Sequence, residues 1–254
     1  SAFREEIEQS LETGETMAAL VEKAVRAEVA RRRDRIVRRR QDAAPARFFS
    51  AYWRLCADVR FMGYWLISGL AFACHFSFIV ISPIIFMQRL ALSPYEFAWA
   101  LLLYGVAYVF GGIVAGALHR RLAANSQIVI GLGLIALSGL VMLWLAKQFG
   151  LNAAAVLVPM LICTVGTTIA RPIANSKAMT LYPQDAGTSS SVGGVMIFMC
   201  GGVISVVINL ASEDLTTALS LCFLVLSIAG LGLNSLIRRA SSCRSELARE
   251  GRQR

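Results

Sequence analysis

The sequence predicts an all-α integral membrane protein, built as a bundle of six helices that each cross a lipid bilayer. One observation is composition: 56% of the residues are hydrophobic and only 16% are charged, against about 25% charged residues in an ordinary soluble domain. Another is six apolar stretches near the length that a spanning helix needs, which is roughly 20 residues. Because these runs are continuously apolar and lack the alternation of barrel strands, they indicate helices.

The six stretches contain no Asp, Glu, Lys or Arg, and short loops separate them. They are Met62–Phe86, Phe97–Leu118, Ile128–Ala146, Ala153–Ala170, Val192–Leu210 and Ala218–Ile237. We therefore expect three regions. Residues 1–47 form a charged helical cytoplasmic segment, residues 48–238 form the six spans, and residues 239–254 form a basic cytoplasmic tail that we expect to be disordered.

The basic residues predict the topology of the six spans. The net charge of +9 comes largely from arginines before the first span and after the last, with His119, Arg120 and Arg121 between the second and third spans. The positive-inside rule then places both termini on the cytoplasmic side. We expect the membrane to be a bacterial inner (plasma) membrane. Since this topology accounts for the basic residues, we expect the lipid bilayer and not nucleic acid as the partner.

The sequence predicts no catalytic, metal or cofactor site. Six cysteines show no CxxC or histidine-paired spacing, and four of them fall within predicted spans, where a thiol acts as a small apolar side chain. The spans also lack HExxH motifs and His/Asp clusters. We therefore do not expect an enzyme.

Residues 1–47 have a composition of their own, with early acids followed by an arginine-dense run. Two helices are predicted, one before Gly14 and one after it. Residues 1–33 weakly resemble the helical part of ribbon-helix-helix antitoxins, without the β-strand that reads DNA. The alternative is an amphipathic segment on anionic headgroups. No apolar signal peptide precedes the first span, and a first residue of Ser instead of Met suggests an incomplete or processed product.

Prolines and glycines mark kinks and close contacts within the spans. Pro83 should kink the first span, and Ser93, Pro94 and Glu96 should start the second as cap, first helical residue and first-turn acid. The glycine spacing in span two indicates ordinary tight packing or a dimer contact. The positions expected to pack helices or let them rock are Pro83, Gly112, Gly116, Pro172, Gly201 and Gly202.

Three polar residues within the spans are candidates for substrate binding or gating. Span four continues beyond Ala170 through Arg171 and Asn175, so a helix that includes them is unusually long and carries a guanidinium inside the membrane. Arg171 either extends to the headgroups or contributes to substrate contact or gating. His75 in span one is either a proton relay or a neutral side chain hydrogen-bonded within the bundle.

Several motifs resemble drug/proton antiporters of the bicyclomycin/chloramphenicol-resistance (Bcr/CflA) type, in the major facilitator superfamily. The matching residues are Ser82-Pro83, Leu92-Ser93-Pro94 with Phe97, and Pro172…Ala178…Tyr182-Pro183-x-x-Ala186-Gly187-Thr188 with Ser190. The match covers about residues 48–238, the last six of twelve spans. Arg171 and Lys177 depart from this pattern, and Arg120 with Arg121 either echoes the superfamily's gating loop or is only positive-inside charge.

The resemblance implies the carboxy-terminal half of a proton-coupled multidrug efflux transporter, incomplete on its own. Its expected partners are a small amphipathic drug-like substrate, protons, and an absent amino-terminal six-span half or a second copy. His75, Asn175 and aromatic residues of spans one and four would contact substrate. The alternatives are a membrane-tethered antitoxin-like fusion or a six-span protein of another class.

Overall fold

The computed structural model describes residues 26, 28–29, 31–32, 50–211 and 214–253, with side chains up to Ala240. The chain divides into two compact units, residues 1–51 and 52–254, and the second contains all the predicted spans. The described residues of the first unit, among them Arg26, Glu28 and Arg31, are helical. The other residues of the segment 1–47, and with them most of the antitoxin-like stretch, lie outside the described residues.

Six long helices form the membrane part of the chain. They are α1 (Val59–Pro83), α2 (Pro94–His119), α3 (Ala124–Phe149), α4 (Ala153–Leu181), α5 (Ala186–Ala211) and α6 (Leu215–Gln253). Each contains a stretch long and apolar enough to cross a membrane. Within the described ranges all regular structure is helical, so the predicted all-α six-helix fold is confirmed.

Side-chain caps start four of these helices, and at α6 the cap is Asp214, which accepts from the Thr216 and Thr217 N–H groups. Asp58 accepts hydrogen bonds from the backbone N–H groups at the start of α1, and Asn152 does the same for α4. Ser93 caps α2 and Pro94 is its first residue, as predicted, and the Glu96 side chain completes a capping box with Ser93. These local signals fix where the helices begin after the short loops.

Two helices differ at their ends from the simplest expectation. At Pro83 the α-helix of α1 changes into a π-helix, Ile84–Arg89, in which the Leu90 N–H donates to the Ile85 carbonyl. Proline cannot donate a helical hydrogen bond, so it interrupts the regular α-helical pattern, and the π-helix begins at the next residue. Helix α6 continues to Gln253, through most of the tail expected to be disordered; Glu, Leu, Ala and Arg there are good helix formers.

Helices α1 and α4 lie at the centre of the bundle. Helix α1 packs against α4, α5 and α6, and α3 packs against α4 and α6. Helix α2 contacts mainly α4, and it is exposed along nearly its whole length. The largest apolar core therefore contains few residues of α2, and one long face of this helix is open to lipid or to a partner.

The crossing of α3 and α4 is close enough to require glycine on both helices. A Cβ added to Gly131 would lie 2.6 Å from the Gly166 carbonyl oxygen, and one added to Gly166 would lie 2.6 Å from the Gly131 carbonyl oxygen. No real Cβ atom tolerates such a distance to a backbone atom. The two backbones are therefore in direct contact, the packing that small residues permit in membranes.

Candidate functional site

A polar cavity of about 310 Å³ lies between α2 and α4. It is lined by Tyr108 and Gly112 from α2 and by Thr167, Thr168, Arg171, Pro172 and Asn175 from α4. The cavity therefore brings together three neighbouring α4 residues that the sequence predicts to be functional: Arg171, Pro172 and Asn175. Ligand cavities in membrane bundles characteristically combine a few polar groups with an apolar wall, as here.

Arg171 is the only basic residue in this cavity lining. It lies ten residues before the end of α4 at Leu181, or about 15 Å along the helix axis. Its guanidinium carbon stacks 4.7 Å from the centre of the Phe72 ring, on α1. The side chain is half-buried, and its Nε atom is buried with no hydrogen-bond partner among the described residues.

Asn175 lies one helical turn after Arg171 and has a second unpartnered polar atom. Its Oδ1 is buried, and nothing in the described part of the chain donates to it. The hydroxyls of Thr167 and Thr168 instead donate to carbonyls of their own helix, at Cys163 and Val165. The Thr168 carbonyl oxygen is a further acceptor, because Pro172, four residues later, has no N–H to donate to it. The cavity therefore offers hydrogen-bonding groups that the chain itself does not use.

His75 lies next to this cavity but does not line it. The side chain is buried on α1, and the Tyr104 hydroxyl of α2 contacts both ring nitrogens, at 2.7 Å from Nδ1. The Tyr108 ring centre lies 5.9 Å from that of His75. This is the geometry of a histidine hydrogen-bonded within the bundle, one of the two alternatives given by the sequence. A proton-relay role stays a prediction.

The predicted packing glycines have different surroundings. Gly112 lines the polar cavity, and Gly116, Arg120 and Arg121 line a second cavity of about 400 Å³ at the end of α2. A Cβ added to Gly112, Gly116 or Gly202 would meet nothing within 4 Å. Gly201 packs against the Phe72 ring, where an added Cβ would lie 3.0 Å away. Their role in helix rocking stays a prediction, as does the gating role of Arg120 and Arg121.

The aromatic residues near the cavity come from α1 and α2. The sequence suggested aromatics of spans one and four, but α4 has none between Ala153 and Leu181, so that part is corrected. Phe72, Tyr104 and Tyr108 were not singled out. Phe72 lies one turn before His75 and Phe76, and the two tyrosines are one turn apart in an otherwise apolar helix. Hydroxyls at that spacing within a span are the signal that could have identified them.

Comparison with known proteins gives a consistent result. A family model described as Major Facilitator Superfamily matches residues 16–207. Two curated relatives, from Rickettsia bellii (strain RML369-C) and Rickettsia felis (strain ATCC VR-1525 / URRWXCal2), are each described as an uncharacterized transporter. Both are 24% identical over 72% of this chain and 48% of their own length. The chain thus spans about half the length of the curated relatives it matches.

Proposed function

The chain belongs to the major facilitator superfamily, and we propose that it forms the carboxy-terminal half of a secondary transporter that exports small amphipathic, drug-like molecules in exchange for protons. It is a multi-pass membrane protein by its six apolar helices. The resemblance to Bcr/CflA exporters is the basis for proposing drug efflux in the bacterial inner membrane, with both termini in the cytoplasm.

The observation that carries this proposal is the cavity between α2 and α4. It places a guanidinium, an amide and a phenol within the membrane bundle, where unpaired polar groups are costly and mark substrate pathways. An amphipathic molecule would use both the hydrogen-bonding groups and the apolar wall. Since α2 is exposed along nearly its whole length, the cavity lies at a face that a second half could cover.

Two features support the proposal that this chain works with a partner. The chain matches about half of each curated relative, and transporters built from two repeats bind substrate between the repeats, near the membrane midplane. The six apolar stretches also lack the Asp or Glu that could carry a coupling proton within the membrane. We propose that an amino-terminal six-span half supplies that carboxylate and closes the cavity. A second copy could cover the cavity but would bring no such acid, because its spans have the same sequence.

Transport by liposomes containing the chain tests this proposal. With the chain alone, we expect no flux of radiolabelled chloramphenicol in response to a pH gradient. With the chain co-purified with an amino-terminal six-span half of a related exporter, we expect gradient-dependent flux. Asn175→Leu should reduce this flux at least fivefold by removing the amide from the cavity. The matched control Asn209→Leu, at an exposed position of α5, should leave it unchanged.

Three outcomes would contradict the proposal. Flux by the chain alone would show that it does not need an amino-terminal half. Flux through the assembled complex that Asn175→Leu leaves intact would remove the cavity as the substrate site. A co-purifying complex that moves no chloramphenicol in either direction would contradict drug export.

A further inference from the structure

We propose that the cavity at Arg171 binds the negatively charged group of its substrate, so that the preferred molecules are aromatic organic anions. This inference rests on the proposed transport function, since it names the charge class of the substrate for the same site. It depends on a half-buried cation for which no described residue supplies a counter-charge.

No acidic side chain that the structure describes on the membrane helices is close enough to neutralise Arg171. Within α1 to α5 and the part of α6 up to Ala240, the one acid is Glu96, at the start of α2. Glu96 lies twelve residues before Tyr108, the first α2 residue that lines the cavity, or about 18 Å along the helix. Asp185 and Asp214 lie in the loops that follow α4 and α5. In the part of the chain whose side chains the structure describes, the guanidinium therefore has no carboxylate partner.

An unpaired guanidinium within a membrane is costly, and such residues pair with another charge or with carbonyls. Part of the cost at Arg171 is offset by the Phe72 ring, which lies 4.7 Å from the guanidinium carbon. A ring face provides no acceptor for the N–H groups, and Nε is left without a partner. The remaining hydrogen-bonding capacity suits a carboxylate, which a guanidinium binds through two parallel hydrogen bonds.

Asn175 provides a second contact for the same anion. It lies at i+4 from Arg171, the spacing that brings two side chains to one side of a helix. Its Oδ1 is buried without a donor, and the oxygen and nitrogen of an amide exchange places by a rotation of the side chain. In either orientation the amide has an NH₂ group, which can donate to an anion in the cavity that Asn175 lines. The open space beside Gly112, in the cavity that the Tyr108 ring also lines, leaves room for an aromatic group of the substrate.

Equilibrium dialysis of the full chain in lipid nanodiscs tests this inference, with empty nanodiscs subtracted. The probes share one ring system and differ in charge: 1-naphthoate, 1-naphthalenemethanol and 1-naphthylmethylamine. We expect naphthoate to bind at least tenfold more tightly than the alcohol and the amine to bind most weakly. Arg171→Gln should weaken naphthoate binding at least tenfold, and Arg171→Lys, which keeps the charge but loses the planar fork, less than that.

Lys177→Gln is the matched control. It removes one cation from the same helix, at a side chain that lies over the Tyr64 ring and does not line the cavity. Its naphthoate affinity should stay within twofold of the parent. If naphthoate bound the parent no more tightly than the alcohol, the inference would be wrong, and this comparison needs no variant to fold. Equal binding by folded Arg171→Gln and the parent would overturn it as well.

The same measurement on the complex with an amino-terminal half separates a substrate anion from a carboxylate of the partner. Retained naphthoate binding supports the inference, whereas its loss on assembly would show that a partner carboxylate occupies the site and would overturn it. The proposed function fails separately. Naphthoate binding without any flux would contradict export alone, and chloramphenicol flux without naphthoate binding would contradict only the anion site.

Discussion

Asp58 joins the start of α1 to the connection that follows α4. One carboxylate oxygen accepts hydrogen bonds from the Arg60 and Phe61 N–H groups, and the other accepts from the Tyr182 hydroxyl at 2.7 Å. Nearby, Arg54 forms an ion pair with Asp185. Both contacts link segments more than 120 residues apart in the sequence. The carboxylate therefore acts both as a local helix cap and as a tertiary contact.

Protonation of Asp58 should destabilise this end of the bundle. Burial raises the pKa of the carboxyl, but the hydrogen bonds from Tyr182, Arg60 and Phe61 outweigh burial and hold the pKa below its ordinary value. A carboxylate whose pKa is lowered in the folded state stabilises the fold at pH values above its unfolded-state pKa, which is about 4. This contribution is lost as the pH falls through the lowered pKa.

We therefore expect the melting temperature of the parent to exceed that of Asp58→Asn at pH 7, and the difference to shrink as the pH falls toward 3. Differential scanning fluorimetry in detergent measures both proteins across this range. Tyr182→Phe removes one hydrogen-bond donor to Asp58 and keeps the ring, so it should remove only part of the pH dependence of the melting temperature. A difference that grew toward acid pH would contradict the assigned role.

At the scale of helices, the contact of α3 with α4 depends on the absence of two side chains. Gly131 and Gly166 each place a carbonyl oxygen where the other's Cβ would be, and the Ala170 Cβ lies only 2.7 Å from the Cβ position of Gly131. Backbone atoms cannot give way as the end of a flexible side chain can. A methyl group here must move one helix away from the other.

Gly131→Ala should lower the stability of the bundle by about 1–3 kcal/mol, the usual cost of overpacking. Gly133→Ala is the control on the same helix, since an added Cβ there would meet nothing within 4 Å. It should be neutral or slightly stabilising, because alanine favours helix over glycine by about 1 kcal/mol. Unfolding in a denaturing detergent would measure both variants. Equal stabilities would show that the helices separate at little cost.

At the scale of the whole molecule, alternate loops should face opposite sides of the membrane. Helices α2 and α3 end at His119 and Phe149, so the loops that follow them lie at opposite ends of the bundle. The first of these loops contains His119, Arg120 and Arg121, and the positive-inside rule assigns it to the cytoplasm. The second loop, at Gly150–Asn152, is then external.

Single cysteines at His119 and Leu151, in a chain without native cysteines, test this orientation in intact cells. A membrane-impermeant maleimide should label Leu151→Cys and leave His119→Cys unmodified, whereas both should react after permeabilisation. Labelling of His119→Cys in intact cells would show the opposite topology, in which neither terminus is cytoplasmic.

The number, type and approximate bounds of the spans were determined by the sequence alone, as was the start of α2 with its cap at Ser93. These features depend on local properties: the length of an apolar run matches the bilayer thickness, and a cap needs residues only three positions apart. The extension of α4 beyond Ala170, which places Arg171 within a continuous helix, was also evident from the chain as a conditional prediction.

Only the tertiary structure decided which side of each helix packs inward. Gly111 meets Val165 and Thr168 of α4, whereas its neighbour Gly112 lines the cavity and meets nothing. Adjacent residues point about 100° apart around a helix, so one glycine packs and the next does not. A span that is apolar on every side gives no sign of its rotation within the bundle. The contacts of Arg171 with Phe72 and of His75 with Tyr104 join different helices, and the rotation and packing of those helices determine them.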